Sequence, residues 1–217
     1  MGIAVMGVTR RVVAGVVVLA ALLFSNVQAQ SLPKINEFYF DDDVAAKPIQ
    51  VVPPEQADAV DQLMKLRERG RKGVEATAQL ASIAYRDGRE ELGAKLYQEA
   101  LAAVADNSVQ ARSLRWNQGW DLYRKGNPEE ALAHWTKVAE GTRGNPSWLP
   151  PTLALALWSL NRKDEAVAWY AAAVRTEPGQ WSEAAAYPQL LPSWSDAERT
   201  QLAQVQQAWA ANPPAWP

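Results

Sequence analysis

Few side chains in this sequence can do covalent or acid–base chemistry, and their spacing assembles no catalytic set. His134 is the only histidine. A nucleophile–imidazole–carboxylate triad would have to be built on it, and no Ser or Asp motif stands beside it in a fitting pattern. The sequence has no cysteine, which removes thiol nucleophiles and disulfides; with a single histidine it also removes a zinc site. Glycine-rich phosphate loops are missing. Glu90-Glu91 and Glu129-Glu130 fall where first helical turns are expected, and carboxylates suit the positive end of a helix there. Asp41, Asp42 and Asp43 are adjacent, so they point in different directions and lack the spaced oxygens of a calcium loop; they read as a solvated acidic run. A glycan hydrolase would need two carboxylates, one of them in an apolar pocket, and no such acid stands out. The excess is in tryptophan: ten residues, all between Trp116 and Trp216. Trp, Tyr and Arg dominate binding hot spots. The chemistry expected is therefore recognition rather than turnover, with no enzyme activity, no cofactor and no metal.

The elements that position these rings begin after a distinct leader. Arg10-Arg11 precede an uncharged run from Val12 to Phe24, and Val27-Gln28-Ala29 place small residues where a signal peptidase reads them. The pattern predicts a signal peptide over 1–29, cleaved after Ala29, and hence a periplasmic location. The apolar run falls short of the roughly 20 residues that a spanning helix needs, so no membrane span is expected after cleavage. The leader carries Arg10 and Arg11 and no acid, so 22 Lys+Arg become 20 against 24 Asp+Glu, a formal charge of −4. A nucleic-acid binder would need a concentrated basic face instead. Residues 30–54 contain Pro33, Pro48, Pro53 and Pro54 without any amphipathic period, and read as an extended or disordered arm. Its Phe38-Tyr39-Phe40 cluster either tethers the arm to the protein's own surface or serves a partner as a short motif. Beyond residue 55, Ala, Leu, Glu, Gln and Arg dominate, which predicts helix throughout.

Residues 55–69 place Ala57, Val60, Leu63 and Met64 on one helical stripe, and Gly70 and Gly73 bracket the break after it. Three segments then align. Leu80-Ala81 is followed by Tyr85, Gly88, Gly93, Tyr97 and Ala100. Gln118-Gly119 is followed by Tyr123, Gly126, Ala131, Trp135 and Val138. Leu153-Ala154 is followed by Trp158, Asn161, Ala166, Tyr170 and Ala173, then by Pro178. The turn positions Gly88, Gly126 and Asn161 are 38 and 35 residues apart, a period of helix-hairpin repeats. Gly and Asn there suit a left-handed C-cap. Asn127, Pro128 and Glu130 predict an N-cap and capping box. Gly119 and Ala154, opposite Ala131 and Ala166, allow close helix approach, and Tyr97, Trp135 and Tyr170 fill the space between hairpins. The first helix of the third segment should begin near Pro150, with Trp148 in the turn. A last helix is expected from Ser195, with Glu198 as its third residue, to about Ala211.

These ordered positions, clearest from Trp116 through Trp135 and from Arg162 to Pro178, resemble the tetratricopeptide repeat family over about residues 74–178. Gln118, where a large apolar residue is usual, Gly93 and the longer units depart from that pattern. The resemblance implies an all-α helix-hairpin repeat solenoid of about three units (74–107, 112–146 and 147–178). An N-terminal arm precedes them, capping helices span 179–211, and a tail covers 212–217. It also implies a concave groove lined by first-helix residues: Ala78, Gln79, Ser82, Tyr85 and Arg86; then Trp116, Asn117, Trp120, Tyr123 and Arg124; then Thr152, Leu155 and Trp158. The partner-binding set expected is Tyr85, Arg86, Trp116, Asn117, Trp120, Tyr123, Arg124 and Trp158. Arg and Asn would hold a peptide backbone or carboxylate while the rings take its apolar side chains. The partner expected is thus a protein or peptide of the cell envelope. An envelope carbohydrate stacked on the rings is the alternative reading, as is an accessory subunit of an envelope assembly or transport complex docking by its outer surface. C-terminal helices folded over the groove would instead turn these rings into interior packing.

Overall fold

The three hairpin turns close in the same way. Gly88, Gly126 and Asn161 have φ of 79°, 84° and 59°, the left-handed conformation that Gly and Asn tolerate best. At each, two backbone bonds seal the preceding helix. Gly88 donates to Tyr85 and Arg89 to Ala84; Gly126 donates to Tyr123 and Asn127 to Leu122; Asn161 donates to Trp158 and Arg162 to Leu157. This is Schellman closure, which satisfies helix-end carbonyls that would otherwise lack partners. It also corrects the capping expected of Asn127, whose side chain makes no cap bond. Asn127 is the last residue of the closure, so its φ and ψ of −108° and 61° are set by the turn behind it, away from the extended backbone that side-chain capping needs. A capping box forms instead at Ser195–Glu198, where the last helix was expected to start.

The computed structural model describes residues 1–2, 31–69 and 71–215. The signal peptide expected over 1–29 lies outside the described residues apart from Met1 and Gly2, as do Trp216 and Pro217 of the tail. Among the described residues the protein is all-α, with no strand. Helix α1 spans Ala59–Arg69, α2 Gly73–Arg86, α3 Glu90–Ala102, α4 Val109–Arg124, α5 Pro128–Glu140, α6 Leu149–Ser159 and α7 Lys163–Thr176. Short helices α8 (Pro178–Trp181) and α9 (Tyr187–Leu190) lead to α10, Asp196–Ala211. The closest-packed helix pairs are α2 with α3, α4 with α5 and α6 with α7. Successive hairpins meet through α2 with α4 and α5 with α6, and α10 lies on α6 and α7.

The core follows from side-chain size at the matched positions. Tyr97, Trp135 and Tyr170 are wholly buried. A Cβ at Gly119 would collide with the Trp135 ring, so the missing side chain on α4 is what admits the indole of α5. Every residue of α6 from Leu149 to Leu157 is buried, as expected of a helix that is apolar all round. It starts at Leu149, with Trp148 in the turn before it. Helix α1 departs from expectation. It begins at Ala59, after Ala57, and its inward stripe is Ala59, Leu63 and Leu66, while Val60 and Met64 stay exposed.

Residues 31–54 are extended, as the prolines require, but they are not a loose arm. Tyr39 is buried beside Trp169, at 6.0 Å between ring centroids, and its N–H donates to Thr176 Oγ1 at 3.1 Å. Asp41 exchanges backbone bonds with Asn145 and Ser147 in the α5–α6 loop. Asp43, expected in solvent, is buried. Its carboxylate accepts from Ala45 N–H and from the Trp148 indole, and faces Arg112 at 3.4 Å. Those partners offset the cost of desolvating the charge.

Candidate functional site

The arm ends against α2 and α4, at residues where a partner segment was expected. Its course runs from α7 at Thr176, past the α5–α6 loop, to Asn117 on α4 and Gln79 on α2. Asn117 sits nearly two turns before the C-terminus of α4 and buries its amide against the arm. Its Nδ2 donates to Lys47 O at 3.0 Å and its Oδ1 accepts from Ile49 N–H at 2.9 Å. Gln79, a first-helix position of the preceding hairpin, accepts from the N–H groups of Val51 and Val52 at 2.7 and 3.0 Å and donates to Val52 O. A primary amide carries a donor and an acceptor side by side, so it can complete an extended backbone as a neighbouring strand does.

Six of the eight expected residues line one cleft of about 440 Å³: Tyr85, Arg86, Trp116, Asn117, Trp120 and Arg124. The arm residues Pro48, Ile49, Gln50 and Pro54 form part of its wall, and Ser193 closes one side. Arg86 is exposed. The rings of Trp116 and Trp120 are 7% and 5% exposed and meet edge to face at 5.9 Å. Trp120 also packs on Trp135 at 5.0 Å and on Trp194, from the C-terminal region, at 4.9 Å. Their indole N–H groups have no acceptor among the described residues.

Asp121, which the sequence reading did not single out, also lines the cleft. One carboxylate oxygen accepts from Ser82 and from the Tyr97 hydroxyl, each at 2.6 Å. Burial raises its pKa above the ordinary carboxylate value, while those two donors and the fields of Arg124 and Arg86 oppose the rise. Burial and the adjacent Asp121 charge push the Tyr97 phenol well up in turn, so it stays a donor. The groove therefore holds one fixed acceptor site between two arginines. An acid two residues after Gly119 on an otherwise mixed helix reads like a solvent-facing charge, so Ser82 was read into the groove, Tyr97 only as packing between hairpins, and Asp121 not at all.

The remaining expected residues lie apart. Tyr123 shares a shallow hollow with Arg124, Ser159 and Glu198, and its hydroxyl bonds Ser159 at 3.0 Å. Arg124 reaches across to Glu198 at 2.8 Å, with its guanidinium 5.2 Å from the Trp120 ring centre. Trp158 donates to Gln204 on α10 and carries Lys163 over its ring. Thr152 and Leu155 are buried, and Gln201 on α10 bonds Ser159. The third hairpin's share of the surface is covered by α10, while the first two hairpins keep an open cleft beside the arm.

Among the described residues no group of three or more His or acidic side chains could hold a metal ion, and no helix is long and apolar enough to cross a membrane. No known family model, curated protein or solved structure matches the chain.

Proposed function

We propose that the chain is a helical-repeat interaction module of the tetratricopeptide kind, exported to the periplasm, that binds an extended segment of a partner protein along the face of α2 and α4. The observation that carries this reading is the pair Gln79 and Asn117, whose amides already hold an extended peptide backbone in the groove. The three identically closed hairpins support the repeat arrangement, and the expected leader over 1–29 supports the location. The cleft beside the arm offers a partner two arginines at its mouth and apolar ring edges in its wall. Trp116 and Trp120 are packed on each other and Trp120 also on Trp194, and both indoles are buried, which leaves no broad aromatic face for a sugar ring to stack on. The module binds; it does no chemistry of its own.

The test is crosslinking in the envelope of the native host. A photoreactive amino acid replaces Arg86, which is exposed at the cleft mouth, so the fold is left intact. A discrete protein adduct that disappears when Asn117 is changed to Ala supports the reading. An adduct only with glycan, or no adduct while an outer-face position such as Leu92 crosslinks efficiently, overturns it.

A further inference from the structure

The bonds that hold residues 47–52 in the groove use nothing specific to those residues. Asn117 bonds the carbonyl of Lys47 and the N–H of Ile49; Gln79 bonds the N–H groups of Val51 and Val52 and the carbonyl of Val52. All five involve arm backbone, and none involves an arm side chain. Any extended chain in the same register could make them. The side chains add an apolar pattern: Ile49 and Val51 are half-buried and Val52 buried, while Lys47, Pro48 and Gln50 are exposed.

The arm also does not fill the space it occupies. A cleft of about 440 Å³ and a second hollow of about 290 Å³ adjoin it, and both are lined by Pro48, Trp116 and Ser193. Pro48 is the one arm residue that both hollows share. With the arm lifted, one channel would run from Gln79 to the Trp181 and Trp194 region.

We infer that residues 47–52 are a built-in placeholder, and that the partner binds by replacing them with an extended segment in the same register. Such a segment has apolar residues at the places of Ile49, Val51 and Val52 and tolerates proline between them. This inference rests on the proposed peptide-binding reading and names its ligand: a strand-like stretch that competes with the arm for Gln79 and Asn117. The tethered arm is always present at high local concentration, so it weakens the partner's apparent affinity by the fraction of time the groove is free.

The experiment uses the full chain and, as probe, a fluorescein-labelled peptide of residues 45–54 of this sequence. Ile49→Asp with Val51→Asp weakens the arm at half-buried positions and spares the core. Fluorescence anisotropy should show the probe binding this variant at least about tenfold more tightly than the unaltered chain, with the gain lost when Asn117→Ala is added. Equal affinity for variant and unaltered chain overturns the inference, as does a gain indifferent to Asn117. A second measurement needs no variant. At saturating unlabelled peptide, amide exchange of the chain's own segment 47–52 should speed up while α4 stays protected; unchanged protection of 47–52 overturns displacement. A partner crosslinked at position 86 with the arm still protected would leave peptide binding standing and remove the placeholder. Displacement by the probe without any envelope adduct would do the reverse.

Discussion

His134, the only histidine, shows how one imidazole acts on the stability of the fold. It sits on α5, half-buried, and burial and the field of Arg115 hold its pKa down from 6.5 to about 4. An unfolded chain takes up that proton near pH 6.5 and the folded chain only near 4, so stability falls as pH drops through this window and levels off below it. The expected loss is about 1–3 kcal/mol. Urea unfolding at pH 7.5, 5.5 and 4 should give His134→Gln a flatter profile than the unaltered chain; parallel profiles would show that the site is already hydrated. Gly119 acts through space rather than charge. Gly119→Ala drives a methyl into the Trp135 ring, and overpacking of this kind costs about 1–3 kcal/mol. Gly179→Ala, where the added Cβ meets nothing, should stay within about 0.5 kcal/mol, and thermal melts of the two variants separate the effects. The groove residues were legible through the repeat resemblance, which carries Arg86, Asn117, Trp120 and Arg124 over to groove-lining first-helix positions; periodicity by itself does not select them. The acceptor at Asp121 was not, since its role depends on Tyr97 reaching in from another helix.

Elements were readable where a rule is local. The left-handed turn needs only one residue to be recognised, and all three turns close as Gly88, Gly126 and Asn161 predict. Asn127 was misread because C-cap closure and N-cap bonding compete for the same residue, and a turn this short serves the helix behind it first. The stripe on α1 was misread because Ala59, Leu63 and Leu66 form a second stripe at helical spacing, and that face is the one packed inward. The turns also supply a test with two signs. Gly126→Ala imposes a Cβ on a φ of 84° and should cost about 1–2 kcal/mol. Asn161→Gly relieves the same strain at 59° and should be neutral or stabilising by a few tenths of a kcal/mol, the gain being limited by the entropy glycine adds to the unfolded chain. Chemical denaturation with unchanged m-values would show that each change acts on the folded turn alone; a large loss in Asn161→Gly would mean that the Asn side chain, not its φ, holds the third turn.

Over the whole molecule, the arm is what sequence could not place. Its bonds join residues 27 to 28 positions apart at Gln79 and 68 to 70 apart at Asn117, and no local period encodes such a pairing. Its consequence is cooperative. Hairpins stacked in chain order gain stability from their neighbours and can fray from an end. The arm instead ties Thr176 of the third hairpin to Asn117 of the second and Gln79 of the first. Cutting it at two anchors, Tyr39→Ala and Asn117→Ala, removes a buried ring and an amide bracket without touching the hairpin interfaces. The third hairpin keeps its cover of α10, whereas the first packs chiefly on α1 and α4. Native-state hydrogen exchange should then show α2 and α3 opening separately, at least about tenfold faster than α6 and α7, where the unaltered chain exchanges both through one global event. The coupling matters for recognition: a partner that takes the arm's place would loosen the first hairpin unless it restores the brackets at Gln79 and Asn117, so binding and order of that hairpin rise together. Equal acceleration of all six hairpin helices in the double variant would mean that the arm adds stability to the whole and carries no coupling between its ends.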